Sequence, residues 1–247
     1  MISSYVAVDL ETTGLDPKRD KIIEIGAVRV TDGKAEDTFE CFVNPYRNLE
    51  ERVISLTGIT DSQLEPASGI ESIIGHFLDF AGKLPILGHH IIFDYSFLKR
   101  AAVNKGLCFE RQGIDTLKLA RKFMPEDQSK SLSAACGYFG IEIKQSHRAR
   151  FDAIAAHELY QAMKREFGER NPEVFDSVPL IYKVKKEQPA SNRQKEHLQD
   201  LLKYHKIALS VQLDHLSRNE ISRITDKIIA QYGSCLLYTS PSPRDCS

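Results

Sequence analysis

Three short stretches place acids where a folded chain seldom keeps them. In VAVDLETTGL, residues 6–15, Asp9 and Glu11 alternate with apolar residues. Strand side chains alternate between faces, so the two carboxylates share one face. Two acids side by side in a mostly buried sheet repel and lose solvation, at a cost of several kcal/mol unless something compensates. A divalent cation compensates best. In GHHIIFDYSFL, residues 88–98, Asp94 falls just after an apolar run, in the first turn of an expected helix. In HRARFD, residues 147–152, Asp152 is expected to begin a helix, with His147 five residues earlier. Five residues turn a helix by about 500°, so the two cannot share a helical face. His147 is therefore expected on the preceding loop, over a site that Asp152 helps to build.

Positioning these groups needs a layered scaffold, and the chain supplies its elements. Residues 5–10, 22–31 and 35–43 read as strands, the latter two joined through Asp32-Gly33, a strong two-residue hairpin signal. Residues 69–81 fit an amphipathic helix, with Ile70, Ile73, Ile74, Phe77 and Phe80 at helical spacing. A short strand is expected at 84–88 and a helix at 92–104. Another strand near 113–116 ends at Asp115, read as the cap of a helix carrying Leu117, Leu119 and Ala120. Helices at 131–139 and 152–167 complete an α/β layered domain with helices on a mixed sheet.

After Gly168 the periodicity fades. Residues 169–190, with prolines at 172, 179 and 189 and the basic KVKK at 183–186, read as a linker. Residues 191–233 read as a small helical module, with Ser191 as one N-cap and a capping box from Ser217 to Glu220. Residues 1–182 hold 22 Lys and Arg against 27 Asp and Glu, whereas residues 183–233 hold 10 against 6. An acidic body joined to a basic appendage suggests a polyanion reached through the appendage. The stretch CLLYTSPSPRD continues no helix or strand and resembles translated sequencing adapter, so 234–247 are set aside as an adapter-derived or disordered tail.

The 247 residues are 42% hydrophobic and 27% charged, the composition of an ordinary soluble protein. No run is long enough to span a membrane. The N-terminal MISSYVAVDLE lacks the basic region of a signal peptide. Five cysteines with no CxxC pair suit reduced thiols, so a cytoplasmic location is expected.

The three motifs together resemble the DEDDh 3′–5′ exonucleases of the ribonuclease H-like superfamily, among which are the bacterial DNA polymerase III proofreading exonucleases. The resemblance covers roughly residues 3–165. VAVDLETTGL matches the first motif, GHHIIFDYSFL the second, and HRARFD the His-x4-Asp third; His90 stands where the second motif has Asn. The resemblance implies a ribonuclease H-like domain acting on nucleic-acid 3′ ends and releasing nucleoside 5′-monophosphates. It implies two ions, Mg²⁺ or Mn²⁺, roughly 4 Å apart, with Asp9 bridging and Glu11, Asp94 and Asp152 completing their shells. His147 becomes the general base, since a histidine ordinarily titrates near ~6.5. Thr12, Gly14 and Leu15 in the turn beyond Glu11, with Thr57, His90 and Phe97, become candidates for meeting the terminal nucleotide. His89 and His90 are read as capping and lining the site rather than as transition-metal ligands. Single-stranded DNA is the favoured substrate, tilted by the basic appendage, with a separate DNA polymerase as partner. RNA 3′-end trimming is the alternative. A non-catalytic binding subunit is disfavoured because all five motif positions are intact.

Overall fold

β1 (Tyr5–Thr12) divides the hydrophobic core by simple alternation. Val6, Val8 and Leu10 face one cluster, with Ile25 and Ala27 of β2 (Ile22–Thr31) beside them. Ile73, Ile74 and Phe77 of α3 (Ile70–Ala81) and Tyr95, Leu98 and Ala102 of α4 (Ile92–Lys105) cover that face. Tyr5 and Ala7 face the opposite cluster, closed by Ala155, Ala156, Leu159, Tyr160 and Met163 of α7 (Ala149–Phe167). Each large side chain buried this way contributes about 1.5–3 kcal/mol, so a strand buried on both faces tolerates acids only at its end.

The computed structural model describes residues 1–143 and 147–234. It forms two compact units, Met1–Pro45 with Leu49–Lys186, and Tyr46–Asn48 with the chain from Glu187 onward. The first unit holds a six-stranded sheet in the order β3 (Lys34–Phe42), β2, β1, β4 (Ile86–Gly88), β5 (Gln112–Asp115), β6 (Val178–Pro179). β3 and β2 are antiparallel, as are β2 and β1, while β4 and β5 run parallel to β1. The hairpin at Asp32-Gly33 forms as expected, with φ of 48° and 80°, the left-handed pair such a turn demands. Helices α5 (Thr116–Phe123) and α6 (Leu132–Tyr138) follow; Asp115, the expected cap, accepts the Leu117 N–H, and Ser131 accepts the Ala134 N–H. The mixed sheet with helices on both faces is the expected α/β class.

Three features differ from the sequence reading. α7 begins at Ala149, three residues before Asp152, because a tertiary acceptor described below takes its first N–H. Part of the 169–190 segment belongs to the first unit. A 3₁₀ turn at Pro172–Phe175 buries Phe175, and β6 (Val178–Pro179) pairs antiparallel with β5. A two-residue strand beside a proline has no alternation to read. Finally, α1 (Glu51–Thr57) and α2 (Asp61–Leu64) were not expected; Leu49, Val53, Ile59 and Leu64 bury against Ile23 in a satellite cluster.

In the second unit, α8 (Asn192–His205) and α9 (Arg218–Tyr232) pack around Leu198, Leu201, Leu216, Ile221 and Ile228. Both expected caps form, Ser191 with Gln194 and Ser217 with Glu220. Glu220 also pairs with Arg47 at 3.0 Å. The proposed tail, apart from Ser234, lies outside the described residues.

Candidate active site

The acids gather at the carboxyl ends of β1 and β4. Asp9 and Glu11 continue the face of β1 that begins with Tyr5 and Ala7. β4 lies beside β1, pairing Ala7 with Leu87, and leads within a few residues into α4. Asp94, buried in the first turn of α4, accepts the Leu10 N–H at 3.1 Å and so locks that turn to β1 between the two strand acids. From the far side of the sheet comes the loop before α7. His147 sits there, outside the helix as expected, with φ of 60°, and its N–H donates to the Asp152 Oδ2 at 2.9 Å. One potential ligand atom from each of Glu11, His147 and Asp152 lies within 4.8 Å of the others.

Crowding and burial raise the proton affinity of every acid here. Asp9 is pushed well above the usual carboxylate range by burial first, then by Asp94, Asp152, Glu11 and Glu24. Burial likewise raises Asp94, against the backbone N–H groups it accepts. Glu11 rises to about 7, through burial and the charges of Asp152 and Glu24, with Arg148 opposing. Burial also raises Asp152, opposed by the His147 N–H.

The folded chain therefore binds protons that the unfolded chain, with glutamates near ~4.3, has released. This stabilisation is complete below the unfolded values and is lost as pH rises through the folded ones, about 7 for Glu11. The melting temperature in EDTA is expected to fall between pH 5 and pH 8, and Mg²⁺ at pH 8 to restore it. A melting temperature flat across that window, with or without Mg²⁺, would contradict the electrostatic account.

The turn beyond Glu11 is tightly held. The Thr12 hydroxyl donates to the Gly14 carbonyl at 2.7 Å, and Thr13 exchanges backbone and side-chain hydrogen bonds with Lys21. Leu15 projects from this turn, 84% exposed, more than any other large apolar side chain among the described residues. His90 is exposed at φ 76°, and its N–H donates to Asp115, the same carboxylate that caps α5. His89 bonds the Thr116 hydroxyl at 3.0 Å and the Lys130 carbonyl at 2.7 Å, and burial lowers its pKa, so it braces the loops around α5. Thr57 and Phe97 are both buried. The Thr57 hydroxyl is buried, donating to the Val53 carbonyl and accepting the Ile59 N–H. Phe97 is 3% exposed in the core, its ring 5.1 Å from that of Phe93.

Two charged residues absent from the sequence reading complete the surroundings. Glu24 on β2, fully buried, stands directly opposite Glu11 in the strand register. Its carboxylate accepts from the Arg148 guanidinium at 2.9 and 3.1 Å and from the Ala149 N–H at 3.1 Å. The signal was an acid inside the apolar run IIEIGAV, the same anomaly that exposed Asp9 and Glu11.

Comparison with known proteins bears directly on this arrangement. The model of the RNase T exonuclease family matches residues 6–160, a stretch holding all five motif residues. The chain belongs to this exonuclease family. The exonuclease is 38% identical over 178 residues to the DNA polymerase III PolC-type of Bacillus subtilis (strain 168), covering 71% of the chain and 12% of that protein. To the PolC-type polymerase of Caldanaerobacter subterraneus it is 38% identical over 183 residues, covering 73% and 13%. The exonuclease thus spans only 12–13% of the length of these relatives. Among solved structures, exonuclease X in complex with 5′ overhanging duplex DNA aligns with a TM-score of 0.55 at 24% identity. That alignment covers 69% of this chain and 99% of the other. E. coli exonuclease I in complex with a dT13 oligonucleotide aligns at 0.59 and 20% identity, covering 71% and 43%. Both likenesses are of fold. The exonuclease domain and the ribonuclease H-like architecture are those implied by the three motifs.

Proposed function

We propose that this exonuclease hydrolyses phosphodiester bonds at the 3′ ends of DNA, single strands above all, and releases nucleoside 5′-monophosphates. The convergence of Asp9, Glu11, Asp94, Asp152 and His147 at one end of the sheet carries this reading. Their donor set, carboxylate oxygens crowded enough to raise one another's proton affinity, suits hard divalent cations. Asp9, Glu11, Asp94 and Asp152 would hold Mg²⁺ or Mn²⁺. When bound, such ions neutralise charge on the phosphate and acidify a water. His147 accepts that water's proton at its ring nitrogen, while Asp152 fixes its backbone. The exposed Leu15 and the Thr12–Gly14 turn meet the terminal nucleotide, with His90 at the rim; Thr57 and Phe97 support this surface from within.

The PolC-type relatives support a DNA polymerase as partner and a role in replication or repair. Among the described residues no helix is long and apolar enough to cross a membrane, in keeping with a cytoplasmic enzyme.

A 5′-labelled single-stranded DNA should shorten progressively from its 3′ end with Mg²⁺ or Mn²⁺, and stop shortening in EDTA. A matched RNA degraded faster would favour 3′-end trimming of RNA. Full activity in excess chelator, or equal cutting of closed circular DNA, would overturn the proposal.

The exposed Lys183, Lys185 and Lys186 form a basic run suited to the phosphate backbone beyond the scissile bond. Replacing all three with Gln should weaken binding of long strands, while turnover of a short saturating oligonucleotide stays unchanged. The slope of log affinity against log salt should flatten by about one for each phosphate no longer neutralised. An unchanged slope would mean the run serves something other than nucleic acid.

A further inference from the structure

We propose that Glu24 and Arg148 form a positioning pair for His147, a role that rests on the reading of His147 as the general base. The need for such a device is visible in the backbone. His147 holds φ at 60°, a left-handed conformation that costs a non-glycine residue about 1–2 kcal/mol and persists only when neighbours impose it. Among the described residues, Asp152 restrains His147 directly, by accepting its N–H. The next restraint comes one residue later.

Arg148 is extended, at φ −133°, and is the N-cap of α7, yet it makes no side-chain bond to the helix it caps. Its guanidinium reaches across to β2 instead, where it grips Glu24 with two nitrogens. The following N–H, that of Ala149, donates to the other Glu24 oxygen. One carboxylate therefore fixes both a side chain and the adjacent backbone directly after His147. A fully buried carboxylate is costly unless paired and hydrogen-bonded, and this one is both. Two guanidinium nitrogens converge on Oε1, and Nε makes a longer contact of 3.4 Å with Oε2, so the angle of the Arg148 guanidinium is set as well as its position.

The strand register makes this more than an anchor for a helix. Glu24 pairs with Glu11 across β1 and β2, and Gly26 pairs with Asp9. A Cβ at Gly26 would overlap the backbone of Ala149 and Arg150, so the missing side chain lets the first turn of α7 lie directly on the sheet. β2, paired directly with the strand that carries Asp9 and Glu11, thus sets the position of residues 148–150. His147 is thereby registered to those acids through the sheet. Arg148 is steadied further by Glu40 at 3.5 Å and by the Phe42 ring, 5.4 Å away.

Glu24→Ala should lower kcat by about 10–100-fold, as displacement of a reacting group by an ångström or removal of a supporting hydrogen bond does. KM for a short single-stranded oligonucleotide should stay within about threefold, because Glu24 touches no surface that the substrate meets. The decisive measurement is a double-mutant cycle in the full chain with Mg²⁺. In a His147→Ala background the same Glu24→Ala change should alter kcat by about twofold or less, since no base remains to be positioned. Glu24→Gln keeps an acceptor for the Ala149 N–H and should recover part of the lost rate; it carries the same cycle if Glu24→Ala does not fold. Losses that multiply, or an undiminished kcat in the folded Glu24 variants, would overturn the positioning role while leaving the base assignment intact. A harmless His147→Ala would instead remove the base assignment, and the positioning role with it.

Discussion

Asp9→Ala should cost nuclease turnover about 10⁴-fold or more, the largest loss expected of any substitution in this chain. As a proposed cation ligand, Asp9 would support several kcal/mol of charge neutralisation in the transition state, and each 1.36 kcal/mol is tenfold in rate. Asp9→Asn should be as inactive, since an amide oxygen carries no net charge. Unlike the alanine variant, it should also raise the melting temperature of the metal-free protein at pH 8. Burial, Asp94, Asp152, Glu11 and Glu24 all oppose ionisation of Asp9, a cost that the amide removes. Single-turnover assays and calorimetry in EDTA read the two effects separately. An Asp9→Asn protein with near wild-type turnover would sink the proposed metal role.

His147→Ala should lower kcat by about 10²–10⁴-fold, the usual contribution of a positioned general base. Its ring stands on an exposed loop outside α7, so its loss should leave the fold and the melting temperature unchanged. Substrate KM and Mg²⁺ affinity should also change little, which separates this variant from those at Asp9. Near wild-type turnover across neutral pH would require another group to take the water's proton. Together the two variants divide the proposed chemistry into charge neutralisation and proton removal.

Much of this site is legible in the sequence alone. Asp9 and Glu11 announce themselves because strand periodicity is short and strict, so an acid in an apolar run is an anomaly that needs a reason. Asp94 and Asp115 are readable from helix starts, which demand acceptors for free N–H groups; Asp115 caps α5 as expected. His147 is placed on a loop by the helical repeat alone. Glu24 escapes notice although it breaks the pattern of its strand in the same way, because its partner lies 124 residues away. The start of α7 is misplaced for the same reason. Ala149 looks like no helix start until Glu24 is seen to accept its N–H.

Local periodicity, turn chemistry and capping are short-range physics, and these the chain carries in its own order: every strand but β6, most helices, the Asp32-Gly33 hairpin and the identity of the acids. Tertiary structure decided what depends on distant partners. It folded 172–182 back so that β6 could join the sheet and Phe175 could be buried. It sent the Thr57 hydroxyl and the Phe97 ring inward, and left Leu15 in solvent beside the acids of β1. It also set a buried glutamate against the arginine that follows His147. A carboxylate alone in an apolar strand states only that compensation must exist; which residue compensates is settled by packing, because electrostatic partners need proximity in space and not in sequence.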